Sequence, residues 1–315
     1  MLPGAYNLKP VHYSTIFQED RMDRRTFLKT GGTAALLAPT LIREALAARE
    51  LSLVAVAEGS DYAAITRKAI NAVGGMKRFV KHGDGGVVKP NMGWDRSSEL
   101  AANTNPLVVR AVVEECLAAG AKKVKVFDYT CNDARRCYVN SGIEGALKGM
   151  KNVECKQIEP ERFRKISLNG QFLKEWELYD EALSANVYIN VPVAKHHGLS
   201  KLTLGLKNVM GIMGGNRGYI HRKLDVALAD VNAHVKKHLT IIDATRILTA
   251  HGPQGGNIAD VKVLNKVIAS TDTVAADAFA TTLFGLKPSD IAVTVTAYKR
   301  GQGEMNLDKI KVVRV

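Results

Sequence analysis

The chain has 315 residues, 46% hydrophobic and 24% charged, with 27 Gly and 9 Pro, which is the make-up of a globular protein able to bury the core of one large domain or two modest ones. Those figures exclude a small disulfide-stapled scaffold, a collagen-like fibre and a disordered chain. A total of 44 Lys+Arg against 31 Asp+Glu gives +13, which permits an anionic partner; with 6% aromatics and no basic run interleaved with them, nucleic acid is not the expected one.

The chain opens on a leader pattern. Arg24-Arg25-Thr26-Phe27-Leu28-Lys29 precedes an apolar run from Thr30 to Ile42 and then Ala45-Leu46-Ala47, an A-x-A cleavage pattern. Charged, apolar and small-residue regions in that order are the layout of an export signal. The segment resembles a twin-arginine signal, with Asp23 where that pattern carries Ser or Thr. The resemblance implies passage through the twin-arginine translocase to the periplasm, with residues 1–47 as the signal and 48–315 as a single domain; a basic start to a folded helix is the alternative. Met22, directly before Asp23-Arg24-Arg25, is the expected translation start. The apolar run is too short and too rich in Gly, Ala and Thr to span a bilayer, so no stable membrane anchor is expected. Residues 1–47 hold six Lys/Arg and four Asp/Glu, so the remainder keeps a charge of +11.

From residue 51 short β-branched runs alternate with amphipathic ones. The pattern predicts a strand over 51–57, a helix over 63–80 and a strand ending at Lys89-Pro90-Asn91. Asn105-Pro106 opens a helix that Gly120 closes, and 122–128 is a strand running into Asp128. A helix over 134–150 and a strand over 153–158 follow. The run NVYINVPV, 186–193, is apolar almost throughout, as in a parallel strand covered on both faces. Further strands are expected at 239–243 and 261–270, helices at 223–238, 274–286 and 291–299, and an edge strand at 310–315. The alternation predicts an α/β fold, a mainly parallel sheet with helices on both faces.

In such sheets ligands bind beyond the carboxyl ends of the strands. Those ends carry Lys89 and Asn91, Asp128, Lys195-His196-His197, Asp243 and Asp272, an unusual density of ionisable groups. The segment Lys195–Gly218 adds Lys207, Asn208 and the donor-rich Gly214-Gly215-Asn216-Arg217-Gly218; a solvated surface turn is the alternative reading of that loop. It lacks the Gly-Lys-Ser/Thr ending of a phosphate loop, and no GxGxxG follows the first strand. His234 and His238 have zinc-compatible spacing but border an apolar stripe, which favours a structural role. Asp277, set among apolar residues, must find a partner or face a site. Cys116, Cys131, Cys137 and Cys155 form no CxxC pair, so no iron–sulfur cluster is expected within the chain; spacing alone leaves a Cys131–Cys137 disulfide open.

The segments VVKPNMGWDR, NTNPLVVRAVVEECLAAGAKKVKVFD, INVPVAKHHGLSKLTLGLKNVMGIM, LTIIDA with HGPQGG, and VIASTDTVAADAFATTLFG resemble, in that order, the domain of unknown function family 362. The resemblance covers residues 51–305 and implies an α/β domain, joined in some relatives to a ferredoxin-type module that this chain does not contain. Its strongest motif positions fall on Lys89, Pro90, Asn91, Asp128, Lys195, His197, Gly198, Lys207, Asn208, Asp243, Gly252, Pro253, Asp272 and Asp277. The Pro-containing strand end, the helix NPLVVRAVVEECLAAGA and the strand-end His also resemble, at the level of fold, the amino-terminal domain of nickel-pincer lactate racemases.

The expectation is an exported enzyme or cofactor-dependent protein that handles an anionic small molecule. His196, His197, Lys195 and Asp128 form its expected catalytic set, with His196 and His197 as candidate metal ligands. Lys89, Asn91, Lys207, Asn208, Arg217, Asp243 and Asp277 form the expected ligand-binding set. The alternative is a non-catalytic periplasmic binding or accessory protein that holds an anion for a redox system.

Overall fold

The computed structural model describes residues 51–315. The signal, the Met22 start and the boundary at 47/48 lie outside those residues. The elements in chain order are β1 (Ser52–Glu58), α1 (Tyr62–Ala72), β2 (Gly85–Pro90), α2 (Pro106–Ala118), β3 (Lys123–Val126), α3 (Ala134–Asn140), α4 (Ile143–Leu147), β4 (Val153–Cys155), β5 (Phe163–Ser167) and β6 (Glu175–Tyr179). They continue with α5 (Asp180–Leu183), β7 (Val187–Val191), β8 (Val193–His197), β9 (Lys201–Thr203), α6 (Leu224–Asn232), β10 (Leu239–Leu248), β11 (Val261–Ser270), α7 (Thr273–Thr281), α8 (Ala292–Lys299) and β12 (Ile310–Arg314).

The main sheet runs β12-β1-β11-β10-β7-β2-β3-β4. Every neighbouring pair in that order is parallel except the two made by β11, which is antiparallel to β1 and β10. Strand β8 pairs with the far half of β10, and β9 folds back on β8. Side chains alternate between two cores: Val54, Val56, Val87 and Tyr188 face one, Ala55, Ala57, Val88 and Ile189 the other. Helices α1 to α4 cover the second face and α6 to α8 the first. Each Val or Ile fully buried there contributes roughly 1.5–3 kcal/mol, so neither face tolerates a polar slip.

Local chemistry sets the boundaries. Asn105 caps α2 by accepting from the Leu107 amide at 2.9 Å, with Pro106 in the first turn. The expected helix 63–80 stops at Ala72, before Gly74 and Gly75, whose φ values of 105° and 77° end it. The expected helix 134–150 is two short ones, broken at Gly142 with φ 77°. The helix expected over 223–238 ends at Asn232, and His238 instead takes the Tyr188 amide on Nδ1 at 3.1 Å. The zinc spacing of His234 and His238 is therefore not realised on one helix. The hairpin β5–β6, left unassigned by periodicity, packs beside the site.

Two buried carboxylates fasten the loops that carry the site. Asp243 accepts from the Asn105 amide at 2.7 Å and from both the amide and hydroxyl of Thr245 at 2.9 and 2.7 Å. Asp277 accepts from the Gly205 and Leu206 amides at 2.7 and 2.8 Å, so α7 holds the entrance to the segment that follows β9. Gly205 is required there: a Cβ would stand 2.8 Å from the Asp277 carboxylate and from Thr273. Asp277→Ala strands two buried amides and is expected to cost about 2–4 kcal/mol, read as a lower urea midpoint with an unchanged m-value.

Candidate functional site

A cavity of about 480 Å³ opens beyond the carboxyl ends of β2, β3 and β8. Strand β2 delivers Lys89 to it and β3 leads into Asp128. On β8, Lys195 and His197 are two residues apart and so share a face, while His196 points away. A 3₁₀ segment over Lys207–Ile212 supplies Lys207, Asn208, Met210 and Gly211, and the loop behind it supplies Arg217.

Lys89 is the anchor. Its Nζ lies 2.8 Å from Asp128 Oδ1 and donates to Asn208 Oδ1 at 2.7 Å. Asn208 in turn donates to the Lys89 carbonyl at 3.1 Å and to Asn190 Oδ1 at 2.9 Å, and Asp128 Oδ2 accepts from the Met92 amide at 2.8 Å. Burial pushes the Lys89 amine down from its ordinary value, against the opposing pull of Asp128. Removing either partner would leave an uncompensated buried charge, which typically costs 3–5 kcal/mol.

Among the described residues the other cations of the cavity have no such partner. Lys195 Nζ donates to the Ala102 carbonyl and, at 3.3 Å, to Asn91 Oδ1, and it sits 5.8 Å from the centre of the Trp94 ring. Lys207 Nζ donates to the Met210 sulfur at 3.0 Å. Arg217 lies 4.3 Å over the Tyr129 ring and donates to the carbonyls of Tyr129 and Thr130 at 2.9 and 2.8 Å. Burial lowers Lys195 to about 7 and Lys207 to about 8. Among the described residues, four Lys and Arg side chains thus share the lining with one carboxylate, and that carboxylate is already engaged by Lys89.

His197 Nδ1 accepts from the Leu199 and Ser200 amides at 3.1 and 3.3 Å, which leaves the ring hydrogen on Nε2. Burial, with Lys207 and Lys195 nearby, pushes its pKa down to about 3, so the ring is neutral and presents a donor. In this arrangement the hydrogen sits on Nε2, whereas ligation through Nε2 would need it on Nδ1. His196 takes the Gly252 amide on Nδ1 at 3.1 Å and is not in the lining. Asp243 and Asp277, expected at the ligand, serve backbone amides instead. Among the described residues no group of three or more His, Cys, Asp or Glu converges on a common point.

The cavity brings together Lys89, Asn91, Asp128, Lys195, His197, Lys207, Asn208 and Arg217 from the sequence reading. It adds Trp94, Tyr129, Cys131, Met210 and His221. Trp94 and Tyr129 follow strand ends already singled out, and extending each strand end by three residues would have found them. Cys131 is an exposed free thiol and Cys137 a buried one, so the two are not joined.

Fold and site together define an α/β protein with an amine-rich cavity at the carboxyl end of its parallel strands. The chain belongs to the family described as a domain of unknown function (DUF362), whose sequence model matches residues 87–282. It is 28% identical over 251 residues to the thylakoid-associated protein sll1697 of Synechocystis, an alignment covering 77% of this chain and 76% of that one. Among solved structures it is similar to the lactate racemase apoprotein from Thermoanaerobacterium thermosaccharolyticum, with a TM-score of 0.43 and 12% identity over 71% of this chain and 55% of that one.

Gly211 has no side chain because the Lys89–Asp128 pair occupies the place where a Cβ would go. Gly211→Ala is expected to cost roughly 1–3 kcal/mol by forcing the pair apart. Gly145→Ala, where a Cβ meets nothing within 4 Å in helix α4, is expected to be neutral or to stabilise by up to about 1 kcal/mol. Denaturation of the two variants side by side checks the contrast.

Proposed function

We propose that the cavity binds a small anionic molecule of the carboxylate or phosphate class, and that the chain is an exported enzyme or cofactor-dependent protein built around that site. One observation carries the reading: Lys195, Lys207 and Arg217 are brought to one cavity with no carboxylate of their own among the described residues. Gathering cations away from water costs several kcal/mol, and an anion bound among them recovers that cost. Arg217 presents a planar fork suited to a carboxylate or phosphate, Lys195 acts as a point charge, and Lys207 adds a further hydrogen-bond donor. The His197 Nε2–H and the Asn91 side chain add neutral hydrogen-bonding groups. The volume suits a ligand of metabolite size.

Export by the twin-arginine translocase, supported by Arg24-Arg25 and the A-x-A pattern, would put this site in the periplasm. The Synechocystis relative is named for association with the thylakoid, and export of this chain to an equivalent compartment is consistent with that name.

The test is a thermal-shift titration of the chain with malonate and phosphate. A ligand at 100 times its dissociation constant adds about 2.7 kcal/mol, or roughly 4–8 °C for a domain of this size. Lys195→Met and Arg217→Met are each expected to weaken binding by about tenfold or more. Malonate stays dianionic above about pH 6 while Lys195 and Lys207 lose their protons, so affinity is highest between about pH 6 and 7 and falls about tenfold or more by about pH 9. No shift with either anion, or an equal shift in both variants, overturns the reading.

A further inference from the structure

Among the described residues, Lys207 is the cavity lysine whose nitrogen has no oxygen to hold. Lys89 is bound by Asp128 and Asn208, and Lys195 by the Ala102 carbonyl and Asn91. The acceptor for Lys207 Nζ among the described residues is the Met210 thioether, a weak one. The side chain is 7% exposed, and that exposure is to the cavity. Burial lowers its pKa to about 8, with Arg217 and Lys89 opposing its charge and Cys131 favouring it. A desolvated amine beside other cations is the arrangement that makes lysine a nucleophile toward carbonyl carbon near neutral pH. Lys195 is lowered further, so the distinction between the two rests on geometry: its nitrogen donates to two oxygens and sits against the Trp94 ring, contacts that suit a group held as an ammonium charge for an anion.

We infer that Lys207 forms a reversible imine with the carbonyl carbon of a 2-oxo carboxylate whose carboxylate group is held by Lys195 and Arg217. The inference rests on the anion-binding reading of the same cavity. The Nζ lone pair forms the carbon–nitrogen bond, and the carbonyl oxygen leaves as water with the two hydrogens that the amine gives up. The step changes no oxidation state and needs no co-reactant. The Nε2–H of His197, fixed as a donor by the Leu199 and Ser200 amides, is the neutral group of the lining suited to hydrogen-bond the carbonyl oxygen before it leaves.

The experiment uses the unsubstituted chain with pyruvate and sodium cyanoborohydride near neutral pH, followed by intact mass and peptide mapping. An amine with a pKa of about 8 is roughly 250-fold more deprotonated there than an exposed lysine, and the Lys195 nitrogen is occupied by two oxygens, so a single reduced adduct is expected at Lys207, formed at least about tenfold faster than at exposed lysines. Excess malonate is expected to suppress it, and Lys207→Arg to abolish it. Because the position is mapped in the unsubstituted chain, a variant that fails to fold does not remove the test. Adducts spread over exposed lysines, an adduct at Lys195, or no adduct overturns the imine. If malonate still stabilises the chain in any of those cases, the anion-binding reading stands; if it does not, both fall.

Discussion

Positive charge buried without matching negative charge is the constraint around which this end of the molecule is built. Lys89, Lys195 and Lys207 are all nearly inaccessible, and among the described residues Asp128 is the one carboxylate in their cavity. A free lysine taken from water into protein shifts toward its neutral form rather than bear the full cost of an isolated ion. The directions found for all three lysines follow from that alone, with burial the largest cause in each. The Lys89–Asp128 pair is the exception that the fold satisfies internally. Asn208, Asn190 and the Met92 amide add hydrogen bonds around it, and Gly211 leaves room for it. The remaining amines are held open by carbonyls, an amide and a thioether, groups that position a cation without neutralising it.

That arrangement depends on elements far from the cavity. Asp277 on α7 grips the amides of Gly205 and Leu206, immediately before Lys207. Asp243 ties the first turn of α2 to β10, and Thr104, next to that turn, accepts from the Asn91 amide and donates to the Val191 carbonyl. Burial raises both carboxyl groups, Asp277 to about 7, which puts its charge in balance near neutrality while its amide donors favour the ionised form. These two side chains serve the site by fixing the chain that bears it. Their chemistry is that of a cap or a turn rather than of a ligand contact.

Much of this was legible in the residue pattern, and the reason is geometric. A parallel sheet covered on both faces writes itself as apolar runs, and its carboxyl ends are where the runs give way to Lys89, Asp128 and Lys195. Reading only the first polar residue after each run misses side chains that approach from loops, which is why Trp94, Tyr129 and His221 were not singled out. The roles of the aspartates were not legible because a carboxylate that accepts from backbone amides leaves no trace in composition. Strand β10 also continues past Asp243 to Leu248, through a register shift between Ala244 and Arg246, so a residue read as a strand end lies inside a strand. The histidines show the same limit: alternation on β8 correctly separates His196 from His197, but only the two amides at Nδ1 decide which hydrogen the ring carries.

The direction of hydrogen bonding in the cavity is what narrows its chemistry. Lys195, Lys207, Arg217 and the His197 Nε2–H all donate, and among the described residues the lining's carboxylate, Asp128, and the side-chain oxygens of Asn91 and Asn208 are engaged by lysine, which leaves the neutral Thr203 hydroxyl without a partner. A ligand that fits must therefore bring acceptors, preferably charged ones, and a cationic ligand would meet repulsion with nothing to offset it. The same asymmetry separates the roles of the lysines. Where oxygen acceptors fix the hydrogens, the amine serves as a charge. At Lys207, where sulfur is the acceptor, the nitrogen keeps a lone pair it can use.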